Sequence, residues 1–331
     1  MKILTEQQIQ QIYPMEQAIQ DVQDALIAHY NGNVENPHRT VVEFPKEQAS
    51  ILYMPSVWEK TGIAAVKVVS IFPNNPRLGK KTTQGLILLT NTETGEHIAC
   101  MDASYLTRLR TGALSALATK FLAKPTASTL AIIGCGKMAE EQVRGVLAVR
   151  NIEEILLYNR TKEKAEAFVK KVKDQNPSYS GKITVAKTAD EAVQRADIIV
   201  CATRSDKPVF SGHSLRAGTH INGVGSYLPH MQEVDERTVL RSAKIVVDTV
   251  DGAKDEAGDL IIPANKGIWS FDQLHGQLDE LVAGKIPGRE TAMEITFFKS
   301  VGTAYFDLAV AAAVYKKAVE LEMGIELDLF S

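Results

Sequence analysis

Gly134-x-Gly136-x-x-Ala139 directly follows the apolar run 129–133 and opens a helical pattern that continues to about residue 149. Strand, glycines and helix in that order are the chemistry of a dinucleotide cradle. The first glycine permits a tight turn and the second lets backbone approach a pyrophosphate. The small third residue lets helix and strand pack closely, while the helix N-terminus attracts the phosphates. A ligand-free strand-to-helix turn can carry the same glycines, but regular alternation of strands and helices downstream favours the cradle. The second strand of that alternation, 155–158, runs into Asn159-Arg160-Thr161. An NAD site usually places Asp or Glu there to hold the ribose 2′-hydroxyl. Arginine and threonine suit a 2′-phosphate instead, unless Arg160 is only an exposed loop cation.

Three further cations stand on apolar surroundings. Lys67 lies within Ile63-Ala-Ala-Val-Lys-Val-Val-Ser-Ile71, and strand alternation puts it on the face of Ile63, Ala65 and Val69. It sits either on a solvated edge or in a cleft where an anion holds it. Arg110 precedes the uncharged run 111–118, so it either snorkels from a helix or borders a buried surface. Arg39, in Pro37-His-Arg-Thr40, reads alone as a loop cation. The 7 histidines show no metal-ligand spacing, and no Gly-x-Ser-x-Gly nucleophile elbow occurs, so no metal site is expected.

The elements that must position these groups fall into two kinds. A first helix has Met15, Ala18, Ile19, Val22, Ala25, Leu26 and Tyr30 on one face and stops at Asn31-Gly32-Asn33. Short β-rich runs follow at 40–44, 51–54, 63–72, 85–90 and 97–101, separated by turn residues, which predicts an antiparallel sheet with hairpins. A helical run from about 103 to 123 ends before Lys124-Pro125. Beyond it, strands at 129–133, 155–158, 183–186, 198–202, 220–224 and 245–248 alternate with helices, which implies a parallel sheet covered on both faces. The helix expected over 303–323 returns to the first domain. The predicted fold is therefore α/β: a Rossmann-type doubly wound parallel sheet (124–302) inserted in a second, α+β domain (1–123 with 303–331).

Composition narrows the partners. The 331 residues carry 37 Lys+Arg against 40 Asp+Glu, a formal charge of −3, which offers no footprint for nucleic acid or an anionic membrane. Hydrophobic residues at 45% and charged residues at 23% describe a globular protein with no disordered character. The 3 cysteines are far apart, the opening residues lack a signal-peptide run, and no apolar stretch reaches a membrane span of about 18 residues. A cytoplasmic protein that binds no membrane is expected.

The segment Arg110-Thr-Gly-Ala-x-Ser-Ala-Leu-Ala-Thr-Lys-Phe-Leu-Ala123 leading into Ile132-Ile-Gly-Cys-Gly136 resembles the ornithine cyclodeaminase/mu-crystallin family, as do His220-Ile-Asn-Gly-Val-Gly225 and Ile295-Thr-Phe-Phe-Lys-Ser-Val-Gly302. The resemblance implies that the first domain is the substrate and dimerisation domain, with a homodimer built on its sheet, Arg39, Lys67 and Arg110 gripping a substrate carboxylate, and Thr82 nearby. It implies cofactor contacts at Thr83, Arg110, Gly134, Cys135, Gly136, Lys137, Met138, Ala139, Asn159, Arg160, Thr161, Ala202, Thr203, Val224, Gly225, Ser300, Val301 and Gly302. NADPH is the preferred cofactor on the Asn159-Arg160-Thr161 turn, with NADH possible. Two departures matter: Leu52 and Tyr227 stand where ornithine cyclodeaminases carry a glutamate and an aspartate. Ring closure with loss of ammonia calls for placed carboxylate bases, so the expectation is a reductase of cyclic imino acids such as Δ1-pyrroline-2-carboxylate or Δ1-piperideine-2-carboxylate. Lys67 or Tyr227 would donate the proton. The alternatives are an ornithine cyclodeaminase, an alanine or N-alkyl amino-acid dehydrogenase, and a non-catalytic NADPH-binding protein.

Overall fold

The structure, a computed structural model, describes residues 1–328; residues 329–331, the end of the predicted first domain, lie outside the described residues. In chain order the elements are β1 (Lys2–Leu4), α1 (Glu6–Ile12), α2 (Met15–Tyr30), β2 (Thr40–Phe44), β3 (Ala49–Trp58), β4 (Ile63–Ile71), β5 (Thr83–Asn91), β6 (His97–Asp102) and α3 (Ala103–Leu122). Next come β7 (Thr129–Ile133), α4 (Lys137–Val149), β8 (Glu154–Tyr158), α5 (Lys162–Gln175), β9 (Lys182–Val185), α6 (Ala189–Arg195), β10 (Ile198–Cys201) and β11 (His220–Gly223). The chain continues through α7 (Glu236–Arg241), β12 (Lys244–Val247), α8 (Val250–Glu256), α9 (Gly258–Asn265), β13 (Gly276–Gln277), α10 (Leu278–Val282) and β14 (Thr296–Lys299). It ends with α11 (Ala304–Glu320) and β15 (Ile325–Glu326). These divide into two compact units, Met1–Arg110 with the segment from Thr303 onward, and Thr111–Gly302.

The division falls inside α3, whereas the sequence placed it at that helix's end, between 123 and 124. From Thr111 onward the helix packs within the second unit. A Cβ on Gly145 of α4 would lie 2.3 Å from the Gly112 carbonyl oxygen, and the Thr119 hydroxyl accepts from Asn222. A continuous helix hides such a boundary because its hydrogen-bond ladder does not break there.

In the first unit the seven-stranded sheet has the order β15-β1-β6-β5-β4-β3-β2. Strands β2 to β6 form the expected antiparallel run, and β1 adds in parallel beside β6. The strand predicted to end before Pro55 instead runs to Trp58. Val57 exchanges both backbone hydrogen bonds with Glu35, so odd positions of β3 turn their amides toward the β2 side. Pro55 falls in the gap between Tyr53, opposite Thr40, and Val57, opposite Glu35. No donor is missed there.

Period-two alternation splits this sheet into two faces. Met54, Lys67, Ile87 and Met101 lie side by side across four strands and are all buried. Helix α11 packs on β3, β4 and β5. The opposite face carries Val42, Ile51, Tyr53, Val66, Val68, Leu86 and Leu88, with Val42 at 43%, Tyr53 at 40% and Leu86 at 43% exposure.

In the second unit the eight-stranded sheet has the order β13-β12-β14-β11-β10-β7-β8-β9, and all its pairs are parallel. Alternate residues feed two separate cores. Leu130, Ile132, Ile155, Ile198 and Val200 join one, while Ala131, Ile133, Leu156, Ile199 and Ile221 join the other. Both faces are thus covered, as a parallel sheet requires. Chain order reverses between β7 and β10, and in such sheets ligands bind beyond the carboxyl ends of the strands at that crevice. The central strand β14 was not anticipated: Thr296–Lys299 is four residues long and lies in a segment singled out only by family likeness.

Candidate active site

Across β2, β3 and β4 the register runs Thr40 to Tyr53 and Met54 to Lys67. It carries Arg39, just before β2, to the level of Lys67 on the same side, about 10 Å away at ~4.8 Å per strand. Its charge acts on Lys67. Lys67 is 4% exposed, and its Nζ donates to Asp307 Oδ2 at 2.6 Å and to Thr107 Oγ1 at 3.4 Å. Arg110 is 5% exposed and donates from Nε to Asp307 Oδ1 at 3.3 Å. No described group accepts from its two terminal nitrogens. The cluster therefore gains a carboxylate from α11 that the sequence reading missed. The signal was present: Asp307 is a lone acid in the apolar run Ala304–Val314.

Burial drives the Lys67 ammonium down to about 8; Asp307 opposes the shift, and Arg110 and then Arg39 reinforce it. For Asp307 burial acts upward, but Arg110 first and Lys67 next outweigh it and hold the carboxyl below its ordinary range. Lys67 and Arg110 against Asp307 leave an excess of one positive charge among buried groups, and a buried site of that kind is stable when an anion completes it. Leu52 faces the same side, opposite Val69 on β4, so the level beside Lys67 is apolar. Thr83 pairs with Ile71, four residues along β4 from Lys67, or about 13 Å. Thr82, just outside β5, accepts from the Phe72 amide through its carbonyl. These two threonines lie toward the end of the strand pair.

In the second unit, Gly134 takes φ +97°, and a Cβ on it would lie 2.6 Å from Thr203 Cγ2 and 2.9 Å from the Ala202 carbonyl oxygen. Gly134 and Cys135 are tied to the end of β8, their amides donating to the Tyr158 carbonyl and to Asn159 Oδ1. Asn159 also donates to the Thr161 carbonyl, so its side chain braces the glycine loop, while Arg160 and Thr161 are exposed. Gly136 caps α4 with no side-chain hydrogen bond, and a Cβ there would meet nothing within 4 Å. The free amides at the start of α4 thus face open space, and Ala139 is fully buried beneath them. Lys137 is exposed and Met138 half-buried. Burial raises the Cys135 thiol to about 12, so it acts as packing. Backbone amides, a positive-φ glycine and an uncapped helix end fit a dinucleotide pyrophosphate.

Beyond β10 and β11, Thr203 is half-buried and Val224 buried, and a Cβ on Gly225 would lie 2.1 Å from the Thr203 carbonyl oxygen. Tyr227 is half-buried in the loop that follows. Ser300, Val301 and Gly302 give their hydroxyl and two amides to Asp248 Oδ2 at 2.6–2.9 Å. Those donors are occupied, so what this turn offers a cofactor is carbonyls and the Val301 side chain. Asp248, which fixes the turn, was read only as the end of a strand. Among the described residues no group of His, Cys, Asp or Glu is arranged to hold a metal.

The chain is 44% identical over 294 residues to a Delta(1)-pyrroline-2-carboxylate reductase of Bacillus cereus, covering 88% of this chain and 89% of that protein. The structure of the Delta(1)-pyrroline-2-carboxylate reductase of Thermococcus litoralis, in complex with NADH and L-proline, superposes with a TM-score of 0.94 at 38% identity and covers 99% of this chain and 100% of that one. An archaeal alanine dehydrogenase dimer with bound NAD gives a TM-score of 0.92 at 34% identity, covering 99% of each chain. The family model for ornithine cyclodeaminase/mu-crystallin proteins matches residues 1–322. With that span and these relatives, the chain belongs to the ornithine cyclodeaminase/mu-crystallin family.

Proposed function

We propose that this chain is an NAD(P)H-dependent reductase of the C=N bond of cyclic α-imino acids, making L-proline from Δ1-pyrroline-2-carboxylate, L-pipecolate from Δ1-piperideine-2-carboxylate, or both. The observation that carries it is the buried cluster in which Arg110 keeps its terminal fork free of protein partners beside the Lys67–Asp307 pair. A guanidinium fork matches a planar carboxylate bidentately. Lys67 has three donors and spends two on Asp307 and Thr107, which leaves one for the atom next to that carboxylate.

Reduction of the imine adds a hydride to the ring carbon and a proton to the ring nitrogen. The nicotinamide cofactor, when bound, supplies the hydride. Arg110 and Arg39 hold the substrate carboxylate and fix the position of the imine carbon. Lys67 Nζ delivers the proton, and its lowered pKa makes that transfer less uphill near neutral pH. Asp307 keeps the ammonium oriented and charged until then. Tyr227 is the second donor candidate. The apolar Leu52 and the hydroxyl of Tyr227, at positions where a cyclodeaminase needs carboxylates, favour simple reduction over ring closure with loss of ammonia. NADPH is the preferred cofactor on the exposed Arg160 and Thr161, with NADH also accepted.

The apolar, half-exposed sheet face around Tyr53, Val68 and Leu86 supports a homodimer, as does likeness to a dimeric relative. A cytoplasmic location is supported by three free cysteines and by a reduced nicotinamide as reductant. Likeness to an alanine dehydrogenase supports a second reading, amination of a 2-oxo acid. NADPH and NADH oxidation with the two cyclic imines, set against pyruvate plus ammonia and against ornithine, separates these. Turnover of a cyclic imine is expected; activity only with pyruvate and ammonia, or ammonia release from ornithine, refutes the proposal.

A further inference from the structure

The buried polar groups of the Thr111–Gly302 unit converge on one carboxylate that the chemistry above leaves without a task. Glu233 lies in the loop between β11 and α7 and is fully buried. Its Oε1 accepts from the Thr203 amide at 2.6 Å and the Thr203 hydroxyl at 2.8 Å. Its Oε2 accepts from the amides of Gly225 at 2.7 Å and Ser226 at 3.0 Å. One carboxylate thus ties together the turns that leave β10 and β11, on the far side of the crevice from β8.

A second layer holds Glu233 in place. Asp259 Oδ1 accepts from the amides of Glu233 and Val234 at 2.6 and 3.0 Å, and Oδ2 from the Ser226 hydroxyl at 2.5 Å. Lys299 lies 2.9 Å from Asp259 and donates to the Ser226 carbonyl and hydroxyl. Asp259 and Lys299 are fully buried as well. Burying three ionised groups costs several kcal/mol per ion before pairing, and an apolar filling often does as well for stability alone. A loop that had only to connect β11 to α7 has no use for such a network. The turns it joins do: Gly225 presses on Thr203, and Thr203 on Gly134, so all three strand ends share one packed ledge.

In a doubly wound sheet the two halves of a dinucleotide lie on either side of the crevice. The adenosine half falls on the β7–β8 side, at the glycine loop and Arg160. The nicotinamide half falls on the β10–β11 side, over Thr203 and Gly225. We infer that Glu233 is a positioning residue that sets the Thr203 and Gly225 turns as a rigid ledge for the nicotinamide end of the cofactor, without touching the adenosine end. This rests on the dinucleotide reading under the proposed function.

Two ligands test it in the full chain: NADH and ADP-ribose, which is the same molecule without nicotinamide. Calorimetric titration is run on the wild-type chain and on Glu233→Gln, whose amide turns donors toward donors. The expected result is an NADH Kd raised about tenfold, with ADP-ribose affinity held within about twofold. Glu233→Asp keeps the charge beside Lys299 and retracts the carboxylate, so the same split should appear at a smaller size; it carries the test if the glutamine variant does not fold. Equal loss of both ligands, or loss of neither, overturns the inference while leaving the dinucleotide site intact. A wild-type chain that binds neither of these ligands nor NADPH overturns the dinucleotide reading itself and the inference with it.

Discussion

Lys67 keeps its proton where burial works against the charge, and Asp307 and Arg110 pull that affinity in opposite directions. The sign of each effect is fixed. A lysine whose pKa falls from 10.5 to about 8 on folding weakens the fold fully below pH 8, and the penalty fades as pH rises toward 10.5. A lysine acting as acid must be protonated, so kcat/KM for imine reduction is expected to fall as pH rises through about 8. Asp307→Asn removes the group that supports the charge, so the alkaline limb should move to lower pH. Lys67→Met should lower kcat by about 10²–10⁴, the usual contribution of a positioned acid. A pH–rate profile of the three proteins checks this; an unmoved limb in Asp307→Asn, or full activity in Lys67→Met, passes the donor role to Tyr227. Asp307→Asn should also cost about 3–5 kcal/mol of stability, because it breaks a buried ion pair and leaves the cations less compensated.

At the scale of elements, the glycine loop separates cofactor binding from folding. Gly136 has open space where its side chain would be, whereas Gly134 and Gly225 have backbone or side-chain atoms within 2.6 Å of that point. Gly136→Ala should therefore leave the melting temperature unchanged and weaken cofactor binding about tenfold, or ~1.4 kcal/mol, by filling the space before α4. Gly225→Ala must push β10 and β11 apart, costing about 1–3 kcal/mol of stability as well. Thermal unfolding with cofactor titration separates the two; equal melting temperatures would contradict the close approach. The loop was legible because strand, glycines and helix are consecutive in the chain. So were the strands β7, β8, β10 and β11, each a short apolar run. What was not legible depended on distant partners. Asp307 meets Lys67 across 240 residues, and Asp248 becomes a brace only when Ser300–Gly302 folds against it. Pro55 looked like a strand end because its tolerance depends on where β2 stops.

For the whole molecule, the −3 formal charge hides a local positive excess that is buried on one side of the first-unit sheet, while the other side is apolar and open. That asymmetry separates two roles on the same strands: Lys67 points one way and its neighbours Val66 and Val68 the other. Tyr53, Val42 and Leu86, each about two-fifths exposed on one sheet face, form the kind of exposed apolar patch that marks an interaction site. In a two-fold dimer each residue of the interface appears twice, so one introduced charge counts twice. Leu86→Glu would bury two unpaired carboxylates at about 3–5 kcal/mol each, enough to weaken association more than a thousandfold. Light scattering of the wild-type chain should give a dimer at micromolar concentration and the variant a monomer. Because Leu86 lies on the face away from Lys67 and Asp307, the variant's fold should survive, with near-native circular dichroism. A wild-type monomer, or a Leu86→Glu chain that still dimerises, would move the interface off this face.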